Sequence, residues 1–133
     1  MTTRFPPHAP ALLVALALAG CDAKPPPLAP AHGRVALFDA PLRSGVVVFT
    51  PDAERGTYGA HAVGTIGPDG QYALMTDGAP GAAPGWHRVT VACLDAPGGG
   101  RVPDRYQDPQ LSDLRAEVRA GKDNEFNFRL QAP

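Results

Sequence analysis

The sequence predicts an all-β protein, an antiparallel β-sandwich of about seven short strands. Three observations carry this. First, apolar and polar residues alternate with a period of two. Leu114, Ala116, Val118 and Ala120 alternate with Arg115, Glu117 and Arg119, and Phe126, Phe128 and Leu130 alternate with Glu125, Asn127 and Arg129. Successive side chains of a strand point to opposite faces, so this is the pattern of a half-buried strand. Second, short β-branched and aromatic runs are separated by Gly, Pro and Asp clusters. Third, no segment offers a long amphipathic helix. A helical reading of Leu111, Leu114 and Val118 fails because the two-residue period continues through Ala120.

Taken in order, residues 1–20 divide like an export signal. Arg4 supplies the positive start, Ala11 to Leu18 is an unbroken apolar run, and Ala19 and Gly20 are the small residues of a cleavage site. The run falls short of the roughly 20 residues a membrane-spanning helix needs. Leu18-Ala19-Gly20-Cys21 resembles the lipobox of bacterial lipoproteins, in which cleavage precedes the cysteine and its sulfur carries diacylglycerol. The resemblance implies lipidation of Cys21 and a membrane partner reached through the N-terminal lipid. Each buried methylene contributes about 0.8 kcal/mol, and stable anchoring takes more than one chain. Which membrane is used stays open. Residues 21–32 form a tether in which Pro25, Pro26, Pro27 and Pro30 favour extended polyproline II geometry, with a reach of roughly 30 Å.

The domain is expected over residues 33–131. Arg34 to Phe38 opens it, with Val35 and Leu37 on one face. Val46 to Thr50 is stopped by Pro51. His61 to Ile66 and Gln71 to Thr76 flank Gly67-Pro68-Asp69-Gly70, whose Pro and Gly suit a type I turn, so these segments read as a hairpin. Trp86 to Leu94 places Val89, Val91 and Cys93 on one face and Arg88 and Thr90 on the other. Leu114 to Ala120 and Phe126 to Leu130 are expected to pair as a second hairpin through Gly121-Lys122-Asp123. That register sets Val118 opposite Phe126 and Arg119 opposite Glu125, and an Asp or Asn takes the left-handed position of the loop. The stretch from Ala96 to Asp113 is left as one long loop carrying Gly98-Gly99-Gly100. Loops of that length are commonly functional or mobile.

Composition narrows the function. Removing residues 1–20 takes away Arg4 alone among the charged residues, leaving 11 basic against 13 acidic side chains. There is no basic stripe for nucleic acid and no Lys/Arg cluster for anionic lipid. Lipidation of Cys21 leaves Cys93 without an intrachain disulfide partner, and its alternation places it in the core.

No catalytic constellation, cofactor site or metal site stands out. Ser44 and Ser112 are the only serines, and neither has the glycine elbow of a hydrolase. His32, His61 and His87 lack paired ligand spacing; His61 and His87 read as solvated strand residues. Asp104, Asp108 and Asp113 offer oxygens for calcium, but turn-forming aspartate is the commoner role. Trp86 and Tyr106 follow loop residues and are the candidate ligand-binding pair, an aromatic platform for sugar, with core packing under the long loop as the competing reading.

The order of Gly33-Arg34-Val35, the run Gly45 to Pro51, Gly64-Thr65-Ile66, the run Asp69 to Leu74, the run Pro84 to Val91, Pro103 to Tyr106, and Leu114 to Leu130 resembles the small bacterial lipoproteins with a carboxypeptidase regulatory-like, or transthyretin-like, domain. The resemblance covers about Gly33 to Leu130. It implies a seven-stranded Greek-key sandwich without known catalysis. A 5-hydroxyisourate hydrolase occurs on a transthyretin-like fold, but the chain ends Phe126-Asn127-Phe128-Arg129-Leu130-Gln131-Ala132-Pro133, without the Tyr-Arg-Gly-Ser-type motif of that enzyme. The expectation is a non-catalytic module of the bacterial cell envelope, lipid-anchored and facing the periplasm or exterior. It would contact an envelope protein or, alternatively, carbohydrate or peptidoglycan.

Overall fold

The computed structural model describes residue 2 and residues 26–93 and 101–131; Cys21 and Gly98-Gly99-Gly100 lie outside the described residues. The chain is mostly β. Its strands are β1 (Ala31–Leu37), β2 (Ala40–Pro41), β3 (Val46–Pro51), β4 (Ala62–Thr65), β5 (Gln71–Ala73), β6 (Met75–Thr76), β7 (Ala79–Pro80), β8 (Gly85–Ala92), β9 (Leu114–Val118), β10 (Asn124–Glu125) and β11 (Phe128–Leu130). They make two sheets. In the larger, the order is β7-β6-β4-β3-β8-β9, and every pairing is antiparallel. In the smaller, β1 is central, with β5 and β2 antiparallel to it and β10 and β11 parallel to it.

The expected alternation explains what lies between the sheets. Val35, Leu37, Tyr72 and Leu130 from one sheet meet Val47, Phe49, Val89, Val91, Ala116 and Val118 from the other, with Leu74 buried at the crossing between them. Phe49 is wholly buried at the centre, with ring centroids 5.6–6.5 Å from Phe126, His87, Phe128 and Tyr72. The sandwich starts slightly earlier than Gly33: β1 begins at Ala31, and Ala29 forms a two-way backbone bridge with Ala82.

The turn at Gly67–Gly70 forms as expected, with Gly70 donating to Gly67 O at 2.9 Å and the chain closing from Gly67 N to Gln71 O at 2.8 Å. Its second arm does more than complete a hairpin. Residues 71–73 pair with β1 in the smaller sheet, and Met75 pairs with Val63 in the larger, so this arm passes from one layer to the other.

The expected hairpin between Leu114–Ala120 and Phe126–Leu130 does not form. β9 pairs with β8, while β10 and β11 pair with β1 in the opposite sheet. The faces are as expected, with Ala116, Val118 and Leu130 buried, but the neighbours differ. Phe126 and Phe128 reach Phe49 across the two layers. Arg119 faces Asn124 and not Glu125. The Asn124 carboxamide accepts from Arg119 N–H at 2.9 Å and donates to Arg119 O at 3.1 Å, closing the end of β9 where the chain changes sheets. The left-handed position of the connection falls on Gly121 (φ 70°) and not on an Asp or Asn. Two parallel pairings on β1 also depart from a purely antiparallel sandwich.

Candidate functional site

Outward residues of the smaller sheet wall an open groove of about 630 Å³. His32 and Arg34 come from β1, Gln71 and Ala73 from β5 and Glu125 from β10. Thr65 and Gly67 close the end. Strand pairing brings them together: His32 stands opposite Ala73 on one side and Glu125 on the other, and Arg34 stands opposite Gln71. Asp123 Oδ2 holds the His32 ring at Nε2, 2.9 Å away. Asn127 Oδ1 accepts from Arg34 N–H at 3.0 Å, and Asn127 Nδ2 donates to Glu125 Oε1 at 3.3 Å. No carboxylate pairs with the Arg34 guanidinium among the described residues.

The His32, Arg34, Gln71 and Glu125 side chains lining the groove can hydrogen-bond a polar partner. Tyr72, at its floor, donates its hydroxyl to Phe126 O at 2.6 Å. Burial, reinforced by the nearby Glu125 charge, raises the Tyr72 pKa above that of a free phenol. It is a neutral structural donor.

A second polar cluster lies on β8. Buried Asp52 accepts from Glu54 N–H at 3.2 Å, starting a single 3₁₀ turn at Ala53–Arg55. Arg88 spans outward from β8 to Asp52 (3.5 Å), Glu54 (2.7 Å) and Gln110 (2.8 Å). The guanidinium thus clamps the 52–57 turn and the 108–112 segment onto the same strand. Thr57 Oγ1 accepts from Trp86 N–H at 2.8 Å.

The sequence-predicted platform is not assembled. Trp86 is half-buried, and the Arg55 guanidinium covers its ring 4.5 Å from the centroid. Tyr106 is 4 % exposed and lies in a 3₁₀ turn, Asp104–Gln107, packed on β8. Its oxygen accepts from Arg105 (2.8 Å) and from Gln131 N–H (2.8 Å), and Arg105 stacks on its ring. Tyr106 therefore follows the core-packing reading. The described part of the long loop is held down by Val102, Tyr106 and Ser112, whose hydroxyl donates to Val89 O at 2.6 Å.

The other sequence candidates scatter. Among the described residues no three His, Cys, Asp or Glu side chains converge to hold a metal. Asp108 Oδ1 accepts from Gln110 N–H, Asp104 pairs with Arg101, and Asp113 takes a left-handed conformation (φ 57°). Cys93 is half-buried beside the core, its sulfur 3.4 Å from Ser44 Oγ. His61 is exposed and bonds Thr50.

His87 corrects the solvated reading: it is 1 % exposed, because it shares the inward face of Val89. Nδ1 lies 3.0 Å from Gly85 O, and Nε2 has no partner. Burial lowers its pKa, partly offset by the Gly85 bond and the Asp52 charge. The unfolded chain therefore binds a proton first as pH falls through about 6.5, and the fold loses stability from there downward. Urea midpoints should fall between about pH 7 and pH 5, with a shallower slope in His87→Gln. Equal slopes for the two proteins would show that His87 does not couple folding to protons.

Comparison with known proteins leaves the site to speak for itself. No family model, curated protein or solved structure matches the chain. The sequence missed the groove because its residues come from strands about 40–90 positions apart. Only the alternation of His32 and Arg34 with Gly33 and Val35 carries a signal of an exposed polar row.

Proposed function

We propose that this chain is a bacterial envelope lipoprotein whose β-sandwich serves as a non-catalytic interaction module. In this reading residues 1–20 are a signal peptide, Cys21 carries the lipid, and the proline-rich segment spaces a transthyretin-like, seven-stranded Greek-key domain from the membrane. The observation that carries the anchor is Leu18-Ala19-Gly20-Cys21 directly after an apolar run and before Pro25, Pro26 and Pro27. No helix among the described residues is long and apolar enough to cross a membrane.

The groove supports binding over catalysis. It presents Arg34, which no carboxylate pairs among the described residues, the Gln71 amide and the Glu125 carboxylate to a polar partner on one face of the sheet. We favour a protein segment over sugar, because Arg55 already occupies the Trp86 ring and Tyr106 is packed away. Cys21→Ser tests the anchor. The variant should move from the membrane pellet to the soluble envelope fraction, because the chains contributing about 0.8 kcal/mol per methylene are gone. Unchanged pelleting would sink the lipoprotein reading.

A further inference from the structure

The two flanks of the sandwich differ. One is stitched by the arm that carries β5 and β6 between layers. On the other, β9 ends the six-stranded sheet, and among the described residues no strand pairs with its far side.

In an antiparallel strand, the N–H and C=O of one residue point to the same side, and the side alternates from residue to residue. Both backbone groups of Arg119 point away from β8, since Asn124 takes them. Trp86, opposite Glu117, spends its own N–H on Thr57 Oγ1 and its C=O on Asp52 N–H, both away from β9. Either observation alone places the backbone groups of Arg115 and Glu117 on the open edge. No backbone bond reaches them among the described residues.

The residues on this edge complement themselves. Leu114-Arg115-Ala116-Glu117-Val118, laid antiparallel on a copy about Ala116, sets Leu114 opposite Val118 and Arg115 opposite Glu117. Each facing charge then meets its opposite. Centring on Arg115 sets Arg115 on Arg115; centring on Glu117 sets Glu117 on Glu117 and Arg115 on Arg119. Like charges directly opposite are unfavourable, so one register stands out. Within its own sheet Arg115 faces Arg88, which Asp52, Glu54 and Gln110 already hold. Among the described residues no carboxylate pairs with Arg115 within its own chain, and the edge register brings Glu117 of a second copy opposite it.

We propose that a second copy of this chain docks on β9, antiparallel about Ala116, and joins the two six-stranded sheets into one. Arg115 and Glu117 of each copy exchange backbone hydrogen bonds, four in all by symmetry, and both Arg–Glu pairs lie on the outward face. The Asn124 carboxamide ends the pairing at Arg119. This proposal stands whether or not Cys21 carries lipid.

Sedimentation equilibrium of the full-length chain in density-matched detergent tests it. The wild-type chain should dimerise reversibly. Arg115→Glu and Glu117→Lys each create two like-charged pairs and should weaken the dimer about tenfold or more, with unchanged circular dichroism. The combined Arg115→Glu, Glu117→Arg chain restores opposite charges and should recover the wild-type dimer. A monomeric wild type, single variants that dimerise as the wild type does, or a double variant no better than the singles would each overturn the proposal.

Discussion

Gly33→Ala should leave little folded protein. A Cβ at this position would sit 1.8 Å from Phe126 O and 2.6 Å from Phe126 C, both backbone atoms, with Tyr72 Oη at 3.0 Å. The chain between β10 and β11 crosses close to β1 here, with Phe126 N–H donating to His32 O at 2.8 Å. A methyl group cannot be absorbed by a rotamer change, because the clash is with main chain. The C-terminal segment must lift from β1, taking Phe126 and Phe128 from the core and breaking the Tyr72 bond to Phe126 O. The loss should exceed about 4 kcal/mol, a large share of the roughly 5–15 kcal/mol that holds a domain together. Soluble yield and urea midpoints measure it. A variant within about 1 kcal/mol of the wild type would mean that the last strands do not approach β1 this closely.

Phe49→Ala should cost about 3–5 kcal/mol. The Phe49 ring lies against four others, two of them on the C-terminal segment and one, Tyr72, on the arm that changes layers. Its removal leaves a cavity lined by side chains from both sheets, and close packing limits collapse into it. Urea unfolding at unchanged m-value is the measurement. A midpoint shift corresponding to less than about 1 kcal/mol would show that this ring does not organise the core.

The sequence made the faces of the strands legible and left their neighbours hidden. Alternation told that Val89, Val118 and Leu130 point inward, because one buried face imposes a period of two. It carried no information on which strand lies beside which. Residues 114–120 and 126–130 looked like a hairpin because a short turn separates them, yet a turn with Gly121 can equally hand the chain to the other sheet. What decided it was long-range: Phe126 and Phe128 fill the space around Phe49, and β1 accepts them in parallel. The turn at Gly67–Gly70 was readable because its chemistry is local.

The candidate site was less legible for the same reason. The aromatic pair follows loop residues in the sequence, which suggests exposure, but Tyr106 is needed inside, and Arg55 reaches back over Trp86. His87 shares a face with Val89, so its burial was implied by the same alternation that placed Cys93. The Asp52–Arg88 cluster joins residues far apart in sequence, with no local signal.

Leu74 couples the two sheets. It sits where the arm leaves one layer for the other, donating its N–H to Ala31 O at 2.8 Å and accepting from Gly81 N–H at 2.8 Å. Its side chain is buried between the layers. A force or fluctuation that shears one sheet past its companion must therefore break the same residue's bonds on both sides. The two sheets are expected to melt together, with coincident transitions in urea for probes placed on either layer.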